Sequence, residues 1–385
     1  MKIGVIGAGR LGICFALLCE EAGYDVLVSD IREDYVNSLN NREIITNEPE
    51  VSNLLKRAKN FRATTDNKEV IEECDLIYTL VATPSLPDGS YNVSSVWDVV
   101  KCFEGVEKKK YFVVGCTTNP GDCDKFAAEL PSNIKVFYNP EFIAQGSIIK
   151  DMRTADMILC GGEYGENYRR GFELIEGIFD DIQDTPVKFH RMSRTAAEIT
   201  KIGVNCFLTY KISYANMMGQ ILYNSGCGSE IDSILQAVGD DSRVGSKYLR
   251  YGLGFGGPCL PRDNRALGHY ADQVGLKYSL PQVTDDFNDA HADFICNYCI
   301  EKNVDNLPFF IESISYKIGT DMVVESPRFR LVTDLLEKGY KVYVQEIDDV
   351  KQRYEDELCD KYGDDNLIFV SNPSEVYETV WRIDL

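Results

Sequence analysis

The stretch KIGVIGAGRLG, residues 2–12, decides the fold of the amino-terminal part of the chain. Its first five residues form a short apolar run typical of a buried strand, and three glycines follow in the spacing G-x-G-x-x-G. A helical run from Ile13 to Glu21 comes next, and then a second strand from Asp25 to Ser29 that ends at Asp30. The glycine motif alone is weak evidence, but the order strand, turn, helix, strand and acid is typical of a dinucleotide-binding unit.

Each part of this unit has a role in holding a dinucleotide. Gly7 makes the turn, Gly9 lets a pyrophosphate approach the backbone, and Gly12 lets the helix pack closely on the strand. The helix start supplies free N–H groups and the positive end of the helix dipole. Asp30 accepts ribose hydroxyls and repels a 2′-phosphate, which favours NAD over NADP, and Arg32 weakens that preference slightly. A glycine-rich turn without a cofactor is the alternative. The predicted cofactor-binding residues of this unit are Gly7, Gly9, Arg10, Leu11, Gly12, Asp30 and Arg32.

Strands and helices continue to alternate after this unit, which predicts a parallel, doubly wound α/β sheet. Ligands of such sheets bind beyond the carboxyl ends of the strands. Thr83, Thr118 and Glu141 follow three of the expected strands, although a Thr at such a place is usually only a turn residue or a helix cap. The further strands are expected at residues 75–82, 110–116, 135–138, 156–160 and 187–190.

A long helix is expected from about Ser193 to Asn224, with Ser193 capping its start and Gly226 following its end. Its length exceeds that of an ordinary globular helix, which indicates a bridge between domains or a dimer interface. Lys201 and Asn205 lie four residues apart on one face of this helix. On this pattern alone, an exposed lysine without a function is the preferred interpretation.

The stretch GFGGPCLPRD, residues 254–263, is expected to be a fixed loop, because three glycines and two prolines disfavour regular helix or strand. It holds Cys259, with Arg262 and Asp263 close behind. A nearby cation lowers the pKa of a thiol and favours the nucleophilic thiolate, and a carboxylate can orient a water or a partner side chain. The alternative is a buried structural cysteine, the commoner fate of any one of the thirteen cysteines.

Composition excludes several classes of partner. A net charge of −21 argues against a nucleic acid or an anionic membrane, and no apolar run reaches the length of a transmembrane helix. Cysteines without paired spacing, and no recognisable signal peptide, indicate a cytoplasmic protein. Cys296 and Cys299 form a C-x-x-C inside a helical pattern and are interpreted as structural. Three histidines offer no metal constellation, so we expect no metal.

A second, smaller α/β unit is expected from Pro308 onward, with strands at 309–315, 341–345 and 367–370 and a helix at 327–338. Between the cysteine loop and the long helix lies a basic cluster that fits a pyrophosphate, with an ordinary basic surface as the alternative. Its cations are Arg243, Lys247 and Arg250, and Tyr248 lies among them.

The cysteine loop resembles the nucleophile loop of the UDP-glucose/GDP-mannose dehydrogenase family. Three strand-end segments resemble that family's motifs, and Lys201 with Asn205 matches its Lys-x-x-x-Asn helix motif. The resemblance covers roughly residues 1–345 and implies an NAD-dependent oxidation of a sugar primary alcohol to a carboxylate with two NAD. It also implies an NAD-binding Rossmann-type domain at 1–190, a central helical dimerisation region at 191–290, and a smaller Rossmann-like nucleotide-sugar domain at 291–385. The strand-end segments are Thr83-Pro84, Thr117–Pro120 and Asn139–Phe142.

The resemblance also implies residue roles. Thr83 and Thr118 are expected near the nicotinamide, and Glu141 is expected to be the base that helps water cleave a thioester on Cys259. Lys201, with ordered water near Asp263, is expected to stabilise oxyanion states, and Asn205 to bond the sugar or a water. Arg243 is expected to reach the substrate of a neighbouring subunit, Tyr248 to lie by the sugar nucleotide, and Lys317 to meet its pyrophosphate or sugar. The implied substrate-binding residues are Glu141, Phe142, Lys201, Asn205, Arg243, Tyr248, Phe255, Gly256 and Lys317.

Three positions depart from the family pattern. Gln145 replaces a second glutamate, Val324 replaces an arginine that touches NAD, and the second α/β unit is shorter than usual. If these differences affect catalysis and cofactor binding in this protein, the expected consequences are slow turnover and weak NAD binding. Phe142 after Glu141, in place of the Pro-Glu-Arg of the N-acetylhexosamine branches, favours UDP-glucose as substrate, with GDP-mannose second.

Two other functions fit parts of the pattern. A 3-hydroxyacid dehydrogenase of similar architecture makes one hydride transfer and needs no cysteine. A nucleotide-sugar binding protein that has lost turnover would explain the departures. The intact Cys259, Lys201, Asn205, Asp263 and Glu141 argue against the second alternative.

Overall fold

The computed structural model describes residues 1–143 and 146–383, so Gln145 lies outside the described residues. The chain divides into two compact units, Met1–Ile202 (unit 1) and Gly203–Leu385 (unit 2). The three-domain division expected from the sequence, with boundaries at residues 190 and 290, is finer than this and stays a prediction.

Unit 1 is built on one large sheet. Its strands are β1 (Lys2–Ile6), β2 (Asp25–Ser29), β3 (Phe61–Thr64), β4 (Leu76–Thr79), β5 (Lys110–Val114), β6 (Ile134–Tyr138), β7 (Met157–Gly161) and β8 (Lys188–Met192). They lie in the order β3-β2-β1-β4-β5-β6-β7-β8, and every neighbouring pair is parallel except β6 and β7. The short edge strand β3 has no counterpart among the strands expected from the sequence.

Helices cover both faces of this sheet. They are α1 (Arg10–Glu21), α2 (Glu33–Asn40), α3 (Val51–Arg57), α4 (Asn67–Glu73), α5 (Ser94–Lys101), α6 (Asp122–Glu129), α7 (Ile148–Arg153) and α8 (Glu166–Ile182). Because neighbouring side chains of a strand point to opposite faces, β1 contributes to two cores. Ile3 and Val5 pack with α1, α3, α7 and α8, whereas Ile6 packs with α4, α5 and α6. The predicted doubly wound α/β sheet is therefore confirmed.

The glycine motif sets the turn from β1 into α1. Gly7 has a φ of +95°, and its N–H donates to the Ser29 carbonyl at 2.8 Å. A Cβ on Gly12 would lie 1.9 Å from the Gly7 carbonyl oxygen, so any side chain at this position would push the helix away from the turn. The close packing of α1 on the sheet thus depends on these two glycines.

Two strands end earlier than the sequence pattern predicts. β4 ends at Thr79 rather than at residue 82, and β5 ends at Val114 rather than at residue 116. The nearest prolines, Pro84 and Pro120, follow only five and six residues later, so both loops begin well before a proline. The apolar residues that follow each strand therefore belong to the loops at the carboxyl edge of the sheet.

The long helix α9 (Arg194–Asn224) has 31 residues, which corresponds to about 46 Å. It begins at the buried Arg194, whose guanidinium bonds Asp124 at 2.6 Å and Glu163 at 2.8 Å. The division between the two units falls within this helix. The expected start at Ser193 lies one residue before the observed start, and the expected end at Asn224 agrees with the observed end.

Unit 2 contains further helices and a second sheet. The helices are α10 (Ile231–Asp240), α11 (Leu260–Gln273), α12 (Leu280–Lys302), α13 (Pro327–Glu337) and α14 (Asp348–Tyr362). The strands are β9 (Phe309–Glu312), β10 (Val342–Gln345), β11 (Leu367–Val370) and β12 (Trp381–Arg382). They form a parallel sheet in the order β11-β10-β9-β12. The expected second α/β unit is present, and Trp381 and Arg382 form its fourth strand.

Two local predictions in unit 2 were wrong. β9 ends at Glu312 rather than at residue 315, because Ser313 takes a left-handed φ of 69°. The expected loop at residues 254–263 ends at Cys259, where α11 begins with Leu260. Pro261 fits the first turn of this helix, since the amide that proline lacks has no helical acceptor there.

Cys296 and Cys299 are buried in the core of unit 2, as expected for structural cysteines. Within residues 1–143 and 146–383, no helix is long and apolar enough to cross a membrane, and no group of three or more potential ligands is arranged for a metal ion.

Candidate active site

The turn between β1 and α1 has room for a ligand against its backbone. The first helical bond of α1 runs from the Ile13 N–H to the Gly9 carbonyl at 2.9 Å, so the amides of the first turn precede the helical ladder. A Cβ placed on Gly9 would meet no heavy atom within 4 Å. Open space at Gly9 and amides at a helix start are what a pyrophosphate needs, and Arg10 and Leu11 lie in that same turn.

Asp30 follows β2 at the position expected for ribose recognition and is held by Arg32. The Arg32 side chain donates to both carboxylate oxygens, at 2.8 and 2.9 Å, and its backbone N–H donates at 3.1 Å. Burial acts to raise the pKa of Asp30, but the hydrogen bonds from Arg32 outweigh it and lower that pKa. The guanidinium also lies 4.2 Å above the ring of Tyr35. The closeness of Asp30 and Arg32 was expected from the sequence, but the bonding of the arginine to both carboxylate oxygens was not.

The strand-end threonines lie at the carboxyl edge of the sheet, and both are buried. The hydroxyl of Thr118 donates to Glu198 of α9 at 2.8 Å. The same carboxylate accepts the N–H groups of Gly121 at 2.6 Å and Cys123 at 2.9 Å, at the start of α6. Burial raises the pKa of Glu198 to about 7, although these hydrogen bonds act to lower it. Glu198 was not among the residues predicted from the sequence, because it lies three residues before Lys201 and carries no motif of its own.

Glu141 lies just after β6 in the segment that resembles Asn-Pro-Glu-Phe. Asn139 anchors this segment, since it accepts from the Tyr78 hydroxyl at 3.0 Å and donates to the Leu159 carbonyl at 2.8 Å. Burial raises the pKa of Glu141 to about 7, and the charge of Lys201 acts in the opposite direction. The Lys201 ammonium lies 4.8 Å from the ring centre of Phe142. Unit 1 therefore brings together a carboxyl group that titrates near neutrality and a cation.

Cys259 is the exposed one among the free cysteines of the described chain. It occupies the capping position directly before α11, a 14-residue helix. The positive end of a helix dipole favours an anion there, so the position promotes the thiolate. An exposed sulfur at a helix start contradicts the alternative of a buried structural cysteine.

Asp263, in the first turn of α11, forms a pair with Asn205 of α9. The Asn205 side chain donates to the buried Asp263 carboxylate at 2.5 Å, although the two residues are 58 positions apart. The thiol of Cys206 also contacts the Asp263 carbonyl at 3.4 Å. Asp263 itself donates its N–H to the Cys259 carbonyl at 2.9 Å, so the pair is tied to the backbone of the nucleophile candidate. Unit 2 thus brings Cys259, Asp263 and Asn205 together.

The loop after β9 packs on the glycines that precede Cys259. A Cβ on Gly256 would lie 2.2 Å from the Glu325 carbonyl oxygen, and one on Gly257 would lie 2.6 Å from the ring of Tyr316. Lys317 follows Tyr316 directly and is exposed. The structure therefore places Lys317 next to a residue that contacts the cysteine loop.

Two further substrate-binding candidates lie on an exposed segment between α10 and α11. Arg243 bonds Asp241 through both its side chain, at 2.7 Å, and its backbone N–H, at 3.0 Å. Tyr248 is exposed and has a left-handed φ of 64°. Val324, which stands where the family has an arginine, is exposed as well.

Comparison with known proteins identifies the family. The model described as "UDP-glucose/GDP-mannose dehydrogenase family, NAD binding domain" matches residues 1–183, and the model of that family's central domain matches residues 195–290. The two matches cover more than half of the chain. The chain belongs to the UDP-glucose/GDP-mannose dehydrogenase family.

Curated relatives and solved structures agree with this membership. UDP-glucose 6-dehydrogenase AglM of Haloferax volcanii is 30% identical over 358 residues, which cover 89% of this chain and 82% of that protein. UDP-glucose 6-dehydrogenase of Rickettsia conorii is 30% identical over 91% of this chain and 81% of that protein. A UDP-glucose dehydrogenase structure from Pyrobaculum islandicum has a TM-score of 0.84 and 25% sequence identity, and the match covers 97% of this chain and 87% of that one.

Family membership confirms three expectations from the sequence. The fold class is that of this family, the cofactor is NAD, and the class of enzyme is an NAD-dependent nucleotide-sugar dehydrogenase. The family match favours a nucleotide-sugar dehydrogenase over a 3-hydroxyacid dehydrogenase. The geometry at Gly9 and Asp30 fits NAD, since the first offers open space beside helix amides and the second a carboxylate beyond β2.

Proposed function

We propose that this protein oxidises the C6 primary alcohol of a nucleotide sugar to a uronic acid in two successive steps, with UDP-glucose as the favoured substrate. The observation that carries the proposal is the exposed Cys259 at the start of α11, backed by the Asn205–Asp263 pair. A dehydrogenase that stops at the aldehyde has no use for such a sulfur.

The sulfur retains the aldehyde between the two oxidations. NAD would supply the hydride acceptor, one molecule for each oxidation. The Cys259 thiolate adds to the aldehyde carbon to form a thiohemiacetal, and after the second oxidation the same sulfur carries the acyl group as a thioester. Water then cleaves the C–S bond, which adds the second carboxylate oxygen and returns the thiolate.

Roles for the other residues follow from their chemistry. Glu141, with a pKa near 7, is suited to take a proton from the attacking water at neutral pH. Lys201 is suited to stabilise negative charge on the substrate oxygen. Asn205, whose amide bonds Asp263, offers its carbonyl oxygen to a sugar hydroxyl or a water. We assign these roles as proposals, together with the cofactor-side position of Thr83 and Thr118.

The choice of sugar rests on two supports. Phe142 after Glu141 differs from the Pro-Glu-Arg pattern of the N-acetylhexosamine branches. The relatives described above are named UDP-glucose 6-dehydrogenases. GDP-mannose is the second candidate substrate, with Lys317 and the basic residues near Tyr248 available for either pyrophosphate.

We also propose that the protein is a homodimer that associates through α9. Phe207, Tyr214 and Ile221 recur every seven residues along this helix, and Met217 lies between them. All four are exposed, and Phe207 leaves 61% of its surface accessible. A repeating apolar stripe on a long helix fits a second copy of the same helix. Arg243 is then available to the substrate of the other subunit.

The experiment that tests the function measures NADH formation with a panel of nucleotide sugars, together with the yield of uronic acid. We expect two NADH per sugar with UDP-glucose, and no free aldehyde. Cys259→Ser should bind NADH as the wild type does but form no acid. Cys227→Ser, which changes a partly exposed cysteine outside the loop, serves as the control and should retain activity.

One NADH per substrate, or full acid formation by Cys259→Ser, would refute the two-step mechanism. Tight binding of a nucleotide sugar without any NADH formation would instead identify a binding protein that has lost turnover.

A further inference from the structure

The segment that leads into the nucleophile loop is held by side chains from two helices. Asn216 of α9 accepts the Gly252 N–H at 3.0 Å, and His291 of α12 bonds the Gly252 carbonyl at 2.7 Å. Asn288 of α12 accepts the Phe255 N–H at 2.9 Å and donates to the Phe255 carbonyl at 3.0 Å. Both backbone groups of both loop residues are therefore satisfied by side chains. We call Asn216, Asn288 and His291 the polar clamp.

The clamp is itself held in place. His291 and Asn216 are buried. Because a carbonyl can only accept, His291 must donate through Nε2 to Gly252, which leaves Nδ1 of the neutral ring as an acceptor for the Gln220 amide at 2.7 Å. The ring also meets Tyr251 edge-on, with centroids 5.7 Å apart. Its tautomer and orientation are thus determined by partners on both sides.

The conformation of Gly254 makes room for the bonds between Asn288 and the backbone of Phe255. It has a φ of +103°, and a Cβ at this position would lie 2.5 Å from the Asn288 side-chain oxygen. Only glycine lets Asn288 reach the backbone of Phe255. A Cβ on Gly256, the residue after Phe255, would meet the Glu325 carbonyl, so the loop backbone is confined on that side as well.

Cys259 lies between the segment held by the clamp and the first turn of α11. It is exposed, so packing against its own side chain constrains it weakly. The position of Cys259 depends on the course of the backbone from Phe255 and on where α11 begins. Attack on an aldehyde requires the sulfur within a few tenths of an ångström of its productive position, and small displacements reduce rates steeply.

We propose that Asn288 and His291 are positioning residues for the nucleophile: by fixing the backbone at Gly252 and Phe255, they hold the Cys259 sulfur where it attacks the aldehyde carbon. This inference rests on the proposed function. It assigns to α12 a part in the reaction, although neither residue touches the substrate.

The chain contains a matched control for Asn288. Asn303, at the end of the same helix, accepts the Leu307 N–H at 3.0 Å and donates to the Leu307 carbonyl at 2.7 Å. It makes the same pair of backbone bonds about 22 Å further along α12, away from the cysteine loop. Asn288→Ala and Asn303→Ala remove equivalent bonds, so they should lower the melting temperature comparably.

The two variants should differ in chemistry. For Asn288→Ala we expect kcat to fall tenfold or more, KM to change less than threefold, and the NADH dissociation constant to stay unchanged. The rate at which iodoacetamide alkylates Cys259, followed by mass spectrometry across pH, should also change. Asn303→Ala should keep wild-type kcat and alkylation. Equal kcat losses in both variants, or wild-type alkylation and kcat in Asn288→Ala, would overturn the proposal.

His291 supplies a second test if Asn288→Ala does not fold. His291→Gln keeps an N–H donor for the Gly252 carbonyl and should retain most of kcat, whereas His291→Phe keeps a ring but no donor and should lose it. Equal activity of the two variants would contradict the proposal. The alkylation rates need no substrate, so they test the clamp even if no nucleotide sugar is turned over and the proposed function fails.

Discussion

At the scale of single residues, the pairing of Asp30 with Arg32 bears on cofactor choice. An acid at this position discriminates against NADP because it repels the 2′-phosphate. Here Arg32 bonds both carboxylate oxygens and brings a positive charge to the same place. The net local charge is close to zero, so repulsion of the phosphate is weaker than an isolated carboxylate would produce.

Arg32→Ala is therefore expected to sharpen the preference for NAD. The dissociation constant of NADPH should rise about tenfold relative to that of NADH, as expected for the loss of one charge-assisted contact. Fluorescence titration of both reduced cofactors measures this ratio without any substrate. Lys101→Ala, which removes an equal charge from α5, should leave the ratio unchanged. A ratio that stays constant or falls in Arg32→Ala would contradict the prediction.

At the scale of secondary-structure elements, Glu198 connects the long helix to the sheet edge. It joins α9 to the loop after β5 and to the first turn of α6. Its partners lie about 80 residues away in the chain. The carboxylate thereby holds Thr118 in a buried position, and its pKa is raised to about 7 from the usual value of 4.5.

This raised pKa predicts a pH dependence of stability. Between pH 4.5 and about 7, the folded protein retains a proton on Glu198 that the unfolded chain releases. The free energy of unfolding should then fall as pH rises through this window, by up to about 1.4 kcal/mol per pH unit for this group. Glu141 should contribute a pH dependence of the same sign to the free energy of unfolding, because its pKa is also raised to about 7.

Glu198→Gln should make the fall in stability between pH 5 and pH 7 less steep, since its side chain does not ionise. It should also destabilise the protein by about 1–3 kcal/mol, because one of the buried N–H groups loses its acceptor. Urea unfolding at several pH values measures both effects, with Glu107→Gln on an exposed turn as the charge-matched control. An unchanged slope in Glu198→Gln would show that this carboxyl group titrates normally in the fold.

At the scale of the whole molecule, the apolar stripe on α9 predicts the state of association. Burying Phe207, Tyr214, Met217 and Ile221 in a dimer would remove apolar surface that water otherwise covers. Phe207→Glu should therefore convert a dimer into a monomer, as measured by light scattering after size-exclusion chromatography. Tyr278→Glu, at an exposed position between α11 and α12, serves as the control. A wild-type protein that elutes as a monomer would refute the dimer proposal.

Much of the fold could be predicted from the sequence, because the decisive patterns are short. The G-x-G-x-x-G turn and the Asp30 carboxylate lie within one βαβ unit, where local sterics and strand geometry dictate the structure. Strand ends were predicted less well. At β4 and β5 the apolar run continues past the last strand residue into a loop, and at β9 the left-handed Ser313 ends the strand. The edge strand β3 was missed because four residues carry too little periodicity.

By itself, the sequence determined the parallel sheet, the dinucleotide turn and the long helix, because each depends on neighbours within a few tens of residues. Only the tertiary structure decided which partners those groups acquire: Asn205 for Asp263, Glu198 for Thr118, and Asn288 for the backbone of Phe255. Nothing in helical or strand periodicity specifies such pairs, since a polar residue on a helix has the same spacing whether it faces water or a loop. Packing decides which of these pairs form. Burial of a polar group is tolerated only where a partner replaces the hydrogen bonds to water that the group loses.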